Sequence, residues 1–329
     1  VIRELGRDPG TPGSDVYLTI DQQVQQFAAQ RLGSESAACA VLDVTNGDVI
    51  ALVSSPGYDP NAFNVGISQA EWTALTTNDH KPLINKVITG EYPPGSTFKP
   101  VIAMGCMDNG LADLQVNCTG SMALGNNVFH CWSWKKGGHG HVDLKRGIAV
   151  SCDIFFYEAA RRLGIDKIHD VAMALGLGAK TGIELPGERP GLIPSREWKL
   201  HRFGVPWQQG ETLNTGIGQG YVTATPLQLA TLAARIASGN AVSPRITRYI
   251  GHSEQPRLPL NRLPFSDTAL AAVQDGMNMV ANVPGGTAYA WRITQPGFEM
   301  AGKTGTAQVR RITREDRATG RVGNANQPW

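Results

Sequence analysis

Three short segments of the chain carry the residue types that a serine nucleophile needs. PPGSTFKP contains Ser96 and Lys99, AVSCDIFFYEA contains Ser151 and Asp153, and MAGKTGTAQV contains Lys303. A serine hydroxyl alone is a weak nucleophile near neutral pH, so it requires a neighbouring base and hydrogen-bond donors for the oxyanion that develops during acyl transfer. The segments follow the order S-x-x-K, S-x-N/D and K-T-G, and together they predict acylation of a serine.

Ser96 is expected near the start of a helix. Two prolines and a glycine form a turn before it, and apolar residues at helical spacing predict a helix at about 97–109. Lys99 would lie on the same helix face as Ser96, and a desolvated lysine can lose its proton and act as a general base. Taken alone, the pattern equally describes an N-cap serine and a solvated lysine, so the assignment depends on the other two segments.

Ser151 precedes a helix that is predicted from Asp153 to Leu163 and ended by Gly164. Its hydroxyl could relay a proton between the lysines and the leaving amine. Asp153 occupies a position that more often holds asparagine in this pattern. An aspartate can accept a hydrogen bond from a lysine, but it adds a negative charge. We assign both residues to the acid–base machinery, with an N-cap pair on a core helix as the alternative.

The third segment is predicted to belong to a region of strands near 298–312. Its glycines would let a substrate backbone approach closely. Lys303 would hold a substrate carboxylate or polarise Ser151, and the main-chain N–H groups of Ser96 and Thr306 would form the oxyanion hole. The residues predicted to bind the substrate are Thr304, Gly305 and Thr306.

Other matches to these patterns are rejected because of their local context. Ser133–Lys136 also fits S-x-x-K but lies in a loop rich in glycine and lysine, and Ser238–Asn240 fits S-x-N where a helix ends. Lys180–Gly182 fits K-T-G but leads into a loop. Gly297–Thr304 fits the phosphate-binding pattern G-x-x-x-x-G-K-T, but its apolar interior and the strand predicted after it argue against a nucleotide site.

The full set of motifs resembles a known family. YPPGSTFKP, the SCD variant, TGIGQGYVTATPLQLA, VPGGTA and AGKTGTAQV, with LTIDQQVQQFA and AVLDVTNGDVIALVSSPGYDPN before them, are similar to the transpeptidase domain of class B penicillin-binding proteins. The similarity is greatest to the elongation-specific D,D-transpeptidases of Gram-negative bacteria. It spans nearly the whole chain.

The resemblance implies a reaction on peptidoglycan stem peptides that end in D-Ala-D-Ala. Ser96 would attack the penultimate D-alanine carbonyl, the terminal D-alanine would leave, and an amine from a neighbouring stem would resolve the acyl-enzyme. β-Lactams would acylate Ser96 as mimics of that substrate. Three alternatives stay open: a D,D-carboxypeptidase, a β-lactamase-type hydrolase, and a β-lactam sensor that acylates without cross-linking.

The resemblance also implies a cellular setting. The family is normally anchored by an N-terminal membrane helix and a pedestal domain, so we expect an excised portion that acts at the periplasmic face of the bacterial inner membrane. Residues 1–16 are predicted to be a linker from the pedestal, and residues 17–329 the transpeptidase domain, with C-terminal strands and a helix missing. The implied partners are a membrane-embedded glycan polymerase and the elongation scaffold.

Three of the five cysteines fall in one region together with a group of histidines, and they predict a structural zinc site. The preferred ligands are Cys118, Cys131, His139 and Cys152, with His130 and His141 as alternatives to His139. Relatives implied by the resemblance carry metal ligands in this region. A Cys118–Cys131 disulfide and three unpaired buried thiols are the alternatives. The other two cysteines, Cys39 and Cys106, are predicted to be small buried residues.

The composition restricts the class of protein to which the chain can belong. The 329 residues are 41% hydrophobic and 18% charged, which suits a globular chain with a sizeable core. The net charge of +2 indicates no nucleic-acid partner, and no run approaches the ~18 apolar residues that a membrane helix requires. Five arginines between Arg310 and Arg321 are predicted to lie in a solvated loop.

The order of elements predicts an α/β (α+β) fold. A helix at Asp21–Leu32 precedes two strands, 37–43 and 48–54, which Asn46-Gly47 joins as a hairpin. Residues 56–95 look irregular, helices fill the middle of the chain, and strands return near its end. We expect a central antiparallel sheet flanked by helices, its first and last strands adjacent, plus an all-helical subdomain that carries Ser151. The active site would lie between sheet and helices.

Overall fold

The computed structural model describes residues 10–307. Its strands are β1 (Val16–Leu18), β2 (Ala37–Leu42), β3 (Val49–Ser55), β4 (Val116–Cys118), β5 (Ser121–Leu124), β6 (Asn127–His130), β7 (Gly140–Val142), β8 (Thr247–Ile250) and β9 (Ser253–Glu254). Its α-helices are α1 (Gln22–Leu32), α2 (Asn61–Val65), α3 (Gln69–Thr77), α4 (Lys86–Thr89), α5 (Lys99–Asp108), α6 (Leu144–Ala149), α7 (Asp153–Leu163), α8 (Ile165–Ala174), α9 (Arg196–Phe203), α10 (Gln209–Gly216), α11 (Pro226–Ser238) and α12 (Asp267–Asn282). Short 3-10 turns occupy Gly95–Phe98, Trp134–Lys136 and Tyr289–Trp291.

The strands form antiparallel ladders. β2 pairs with β3 from Ala37–Ser55 to Leu42–Val49 around the predicted Asn46-Gly47 turn. Every second side chain of β3 is buried, and α1 packs against this strand. β1, β8 and β9 form a second sheet, so the first described strand lies beside a late one. Two further antiparallel pairs, β4–β7 and β5–β6, are formed by the residues between α5 and α6 in the sequence.

The helical half carries most of the core. In α5 every residue from Lys99 to Cys106 is buried, because α7, α8 and α12 pack around it. α7 also packs against α10, and α6 packs against α12. The largest fully buried side chains include Phe98, Phe155 and Phe156, which lie at or near the starts of α5 and α7. This packing fixes the two helix ends that hold the first and second motifs.

The helix predicted from Asp153 to Leu163 forms as α7. α7 ends at Gly164, and α11 begins at Pro226 with Thr225 as its N-cap. The prediction that 56–95 is irregular was wrong, because α2, α3 and α4 lie within it. A capping box between Ser68 and Glu71 starts α3, and this S-x-x-E signal was visible in the sequence.

The strand predicted near 298–312 is not observed in its described part. Residues 298–307 form no ladder, and 308–312 lie outside the described residues, as does the whole arginine-rich stretch from Arg310 to Arg321. Alternating residues favour an extended chain, but a strand also needs a paired neighbour. Here the main chain binds α12 instead: the Gly302 N–H donates to the Met277 carbonyl (3.1 Å), and the Asn282 side chain donates to the Met300 carbonyl (2.9 Å).

Within residues 10–307, no helix has the length and apolar character needed to cross a bilayer.

Candidate active site

Ser96 lies in a tight turn at the start of α5. A 3-10 turn at Gly95–Phe98 leads directly into the α-helix at Lys99, two residues after the predicted helix start. Gly95 has φ +56°, and a Cβ atom at this position would overlap the Thr306 carbonyl oxygen. Only glycine therefore allows the third motif to lie directly against the residue before Ser96.

Lys99 is completely buried and fully hydrogen-bonded. Its Nζ donates to Asp153 Oδ1 (2.7 Å), to the Ser151 carbonyl (2.9 Å) and to Ser151 Oγ (3.0 Å). An ammonium has three donors, so all are used. The Phe156 ring lies 5.4 Å from the same nitrogen. A buried charge is tolerated only when it is paired and hydrogen-bonded, which the second motif achieves here.

Ser151 adopts an unusual backbone conformation. Its φ is +54°, in the left-handed region that non-glycine residues seldom occupy. The conformation turns both its carbonyl and its hydroxyl towards Lys99 Nζ. It occurs at the junction where α6 ends and α7 begins, so two helices hold it in place. Strained backbone held by its surroundings is a common property of functional sites.

The Asp153 carboxylate has two partners. Oδ1 accepts from Lys99, and Oδ2 accepts from the main-chain N–H of Trp132 at 2.9 Å. The aspartate that departs from the usual asparagine thus acts as the counter-ion of Lys99. Nothing in the sequence motifs pointed to Trp132, because only the folded β6–β7 connection brings it to α7.

The third motif joins the first. A Cβ atom on Gly305 would lie 2.7 Å from Thr97 Cγ2, so the two segments are in close contact. Thr304 Oγ1 lies 2.7 Å from Thr287 Oγ1, and Gln219 Nε2 donates to the Thr306 carbonyl at 3.3 Å. Gln219 belongs to the GIGQG segment, in which Gly218 also packs on Gly95 in the turn before Ser96.

The environment of Lys303 changes its protonation. Burial, and then the neighbouring Lys99 ammonium, lower the pKa of Lys303 to about 7, although Asp153 opposes the shift. Its Nζ donates to the Thr304 carbonyl at 2.9 Å. This lysine can therefore gain or lose its charge near neutral pH.

The structure brings together all of the residues predicted for catalysis and substrate binding. Lys99, Ser151 and Asp153 form one hydrogen-bonded group, and the third motif lies on the turn that carries Ser96. Among the described residues no hydrogen bond joins the Ser96 hydroxyl to Lys99, whose donors are all engaged by the second motif. The arrangement places half-buried Ser96, the Lys99–Ser151–Asp153 group and the third motif side by side.

The four candidate zinc ligands also meet. The thiol sulfurs and one imidazole nitrogen of Cys118, Cys131, His139 and Cys152 all lie within 4.8 Å of one another. His139 Nδ1 lies 3.4 Å from Cys131 Sγ and 3.7 Å from Cys118 Sγ. Hydrogen bonding to Cys152, and to His139 and Ser133, lowers the pKa of the Cys131 thiol, whereas the hydrogen bond to Cys131, followed by burial, raises the pKa of the Cys152 thiol.

The structure favours neither the alternative histidine ligands nor the disulfide considered for this cysteine region. His130 packs against Trp134 with its ring tilted (5.1 Å between ring centroids), and His141 lies exposed on β7, so His139 is the histidine at the cluster. All five cysteines are free, without a Cys118–Cys131 disulfide. Cys106 is fully buried, and burial raises the pKa of its thiol to about 12, whereas Cys39 is only half-buried.

The rejected motif matches have other roles. Gly239 is the C-cap of α11, and the main-chain N–H groups of Thr181 and Gly182 donate to the Glu188 carboxylate (2.7 and 3.1 Å). Residues 301–307 contain no helix, whereas a phosphate-binding loop opens one.

The comparisons with known proteins point to the same family as the sequence motifs. The family model described as "Penicillin binding protein transpeptidase domain" matches residues 37–322. The peptidoglycan D,D-transpeptidase MrdA of Acinetobacter baumannii is 38% identical over 324 residues, which are 96% of this chain and 48% of that protein. The chain thus spans about half the length of the curated relatives that it matches.

Solved structures give the same result. Pseudomonas aeruginosa PBP2, in complex with WCK 5153, has a TM-score of 0.84 and 37% identity, covering 91% of this chain and 69% of that one. PBP2 of Helicobacter pylori in its complex with MreC has a TM-score of 0.80 and 33% identity, covering 89% and 55%. A peptidoglycan synthase complex that coordinates polymerization and crosslinking has a TM-score of 0.78 and 32% identity, covering 90% and 53%.

Proposed function

Because this chain belongs to the penicillin-binding protein transpeptidase family, we propose that it catalyses peptidoglycan D,D-transpeptidation through a serine acyl-enzyme. The family and the α/β fold class predicted from the sequence are confirmed by the match over residues 37–322 and by the PBP2 structures. The observation that carries the proposal is the buried Lys99–Ser151–Asp153 group beside the turn that holds Ser96. We assign residues 17–329 to the transpeptidase domain and residues 1–16 to a linker.

The first half-reaction forms the acyl-enzyme. Ser96 Oγ attacks the carbonyl carbon of the penultimate D-alanine, while its proton passes to Lys99 Nζ in the neutral amine form, which has a free lone pair and shares the proton with Ser151. The oxyanion of the tetrahedral intermediate accepts hydrogen bonds from the N–H groups of Ser96 and Thr306. When the intermediate collapses, the peptide C–N bond breaks, and Ser151 returns the proton to the departing amine of the terminal D-alanine.

The second half-reaction uses the same groups in reverse. The amine of a neighbouring stem peptide attacks the Ser96 ester and gives up a proton through Ser151. The C–O ester bond then breaks, and the proton returns to Ser96 Oγ. Lys303, Thr304 and Thr306 hold the terminal carboxylate of the donor during the first step, with Gly305 leaving room for its backbone.

Binding of a carboxylate-bearing β-lactam is expected to weaken as the pH rises through about 7. The Lys303 ammonium is present below its pKa of about 7 and is lost above it, so the attraction to the carboxylate disappears in the alkaline direction. The measurement is the dissociation constant of the non-covalent complex from stopped-flow acylation at pH 6 to 9. Lys303→Arg should remove the inflection, because a guanidinium stays charged throughout. A pH-independent constant in the unmodified protein would contradict this role.

We further propose that Cys118, Cys131, His139 and Cys152 hold a structural zinc ion. Zinc is bound tetrahedrally with Zn–S bonds of about 2.3 Å, so its sulfur ligands lie roughly 3.8 Å apart. The four ligand atoms, mutually within 4.8 Å, fit that geometry with little adjustment. Zinc would fix the β4–β7 region to the start of α7, and the acyl-transfer chemistry requires no metal.

The purified protein is expected to contain about one zinc ion per chain, as a site of four such ligands predicts. Cys118→Ser should remove most of the zinc and lower the melting temperature, because metal binding to the folded state stabilises it. Elemental analysis and the thiolate-to-cobalt absorption of the cobalt-substituted protein measure this. Cys39→Ser is the matched control, since Cys39 lies on β2, away from the cluster. Stoichiometric zinc in Cys118→Ser would refute the assignment.

Two relatives support a proposal for the cellular setting. MreC accompanies the Helicobacter pylori PBP2 structure, and a synthase complex couples polymerization to crosslinking. We propose that this domain works at the periplasmic face of the inner membrane with an elongation scaffold and a membrane-embedded glycan polymerase. Its substrates would be peptidoglycan stem peptides, and β-lactams would inhibit it.

The decisive test of the proposed function uses product analysis. Incubation with a D-Ala-D-Ala donor and an amine acceptor should release D-alanine and give a cross-linked dimer that mass spectrometry detects. Release of D-alanine without a dimer would indicate a carboxypeptidase, and rapid turnover of a penicilloyl adduct would indicate a β-lactamase. Acylation with neither outcome would indicate a sensor.

A further inference from the structure

One residue outside all three motifs, Trp132, contacts both Ser151 and Asp153 of the Lys99–Ser151–Asp153 group. Trp132 lies in the connection between β6 and β7, and its side chain is 55% exposed. We propose that Trp132 is a positioning residue that holds Asp153 with its main-chain N–H and Ser151 with its indole N–H, and so aligns Lys99 for acylation. The inference rests on the proposed function of the same site.

The main-chain contact sets the Asp153 carboxylate. Trp132 N donates to Oδ2 at 2.9 Å, while Lys99 Nζ donates to Oδ1 at 2.7 Å. With one oxygen on each partner, the carboxylate plane cannot rotate without losing a charge-assisted hydrogen bond. Trp132 thereby determines the direction from which Asp153 faces Lys99.

The indole contact sets the Ser151 backbone. Trp132 Nε1 lies 3.1 Å from both the Val150 and the Ser151 carbonyl oxygens. The Ser151 carbonyl also accepts from Lys99 Nζ at 2.9 Å. Two donors thus converge on the carbonyl of a residue with left-handed φ, where the backbone would otherwise relax. The same conformation presents Ser151 Oγ to Lys99.

The solvent exposure of Trp132 argues against a role in core packing alone. A tryptophan that only filled the core would be buried, but more than half of this side chain faces solvent. Its ring centroid lies 5.1 Å from that of His139, in an edge-on arrangement. Trp132 also directly follows Cys131, so the cysteine–histidine cluster fixes its main chain. The residue therefore connects that cluster to the group around Lys99.

Trp132→Phe tests the indole contact, because it keeps an aromatic ring and removes only the N–H. One hydrogen bond of this kind corresponds to about a fivefold to tenfold change. The acylation rate constant for a penicillin should therefore fall about tenfold, with the non-covalent dissociation constant and the melting temperature little changed. Trp134→Phe is the matched control, since Trp134 is 49% exposed in the same loop and contacts His130 rather than Ser151.

A double-mutant cycle with Asp153→Asn supplies a readout that a merely structural role would not move. If Trp132 acts through the shared Lys99 group, the two changes should together slow acylation by less than the product of their separate effects. Multiplicative effects, or an unchanged rate constant in Trp132→Phe, would overturn the inference. Such a result leaves the unmodified protein able to form the cross-linked dimer from a D-Ala-D-Ala donor and an amine acceptor, whereas failure of the proposed function would remove that product.

Discussion

Ser96→Ala is expected to abolish covalent labelling by penicillin and all formation of acyl-enzyme. Ser96 Oγ is the only protein atom that bonds to the substrate carbonyl carbon in the proposed reaction. Removing a catalytic serine lowers kcat by a factor on the order of 10⁶ in a serine protease. Because Ser96 is only half-buried in its turn, the fold should tolerate the loss of one oxygen. Intact mass spectrometry with a penicillin, followed by peptide mapping, measures the adduct.

The matched control for this prediction is Ser238→Ala. Ser238 belongs to a rejected S-x-N match, and its hydroxyl donates to the Ala234 carbonyl at 2.8 Å within α11. This variant should acylate at the normal rate. An adduct of unchanged yield on Ser96→Ala would disprove the assignment of the nucleophile, whichever residue then carried the penicillin.

Lys99→Met is expected to combine a large kinetic effect with a loss of stability. General base catalysis contributes typically 10²–10⁴-fold, so acylation should slow by about that range. The Lys99 side chain is 0% exposed and Asp153 13%, so the change also leaves an unpaired carboxylate inside the protein. Breaking such a pair costs about 3–5 kcal/mol in the free energy of unfolding. Stopped-flow acylation and denaturant unfolding measure the two effects separately.

Lys199→Met separates stability from chemistry. Lys199 is 6% exposed and pairs with Glu211 at 2.6 Å, so its replacement breaks a comparable ion pair away from the three motifs. That variant should lose stability while its folded fraction acylates normally. If Lys199→Met slowed acylation as much as Lys99→Met, the effect of Lys99 would be one of folding alone, and its assignment as a base would fail.

Local signals in the sequence were sufficient for much of this architecture. Asn46-Gly47 marks a hairpin, and Pro226 after Thr225 marks a helix start, because each preference acts through neighbouring backbone atoms. The three motifs likewise predicted Ser96, Lys99 and Lys303 as site residues, since the proposed chemistry operates along one helix or one extended segment.

Long-range contacts explain what the sequence did not reveal. Trp132 reaches Asp153 and Ser151 only because the β6–β7 connection folds onto α7, and no periodicity encodes that approach. The segment at 298–307 alternates like a strand, yet its main chain hydrogen-bonds to α12. Which partner such a segment binds is decided by the tertiary structure and not by its own sequence pattern. The left-handed φ of Ser151 is similarly imposed by the junction of α6 and α7.

Three consecutive residues, Ser151, Cys152 and Asp153, face two different clusters, with the central one among the thiols and its neighbours on Lys99. If β-lactams inhibit the protein as proposed, this arrangement limits the routes to resistance. Under the proposed function, a substitution in this stretch would disturb both the Lys99 group and the cysteine–histidine cluster. Resistant variants should instead accumulate at exposed positions around the cleft, and a mutational scan under β-lactam selection should find residues 151–153 almost invariant.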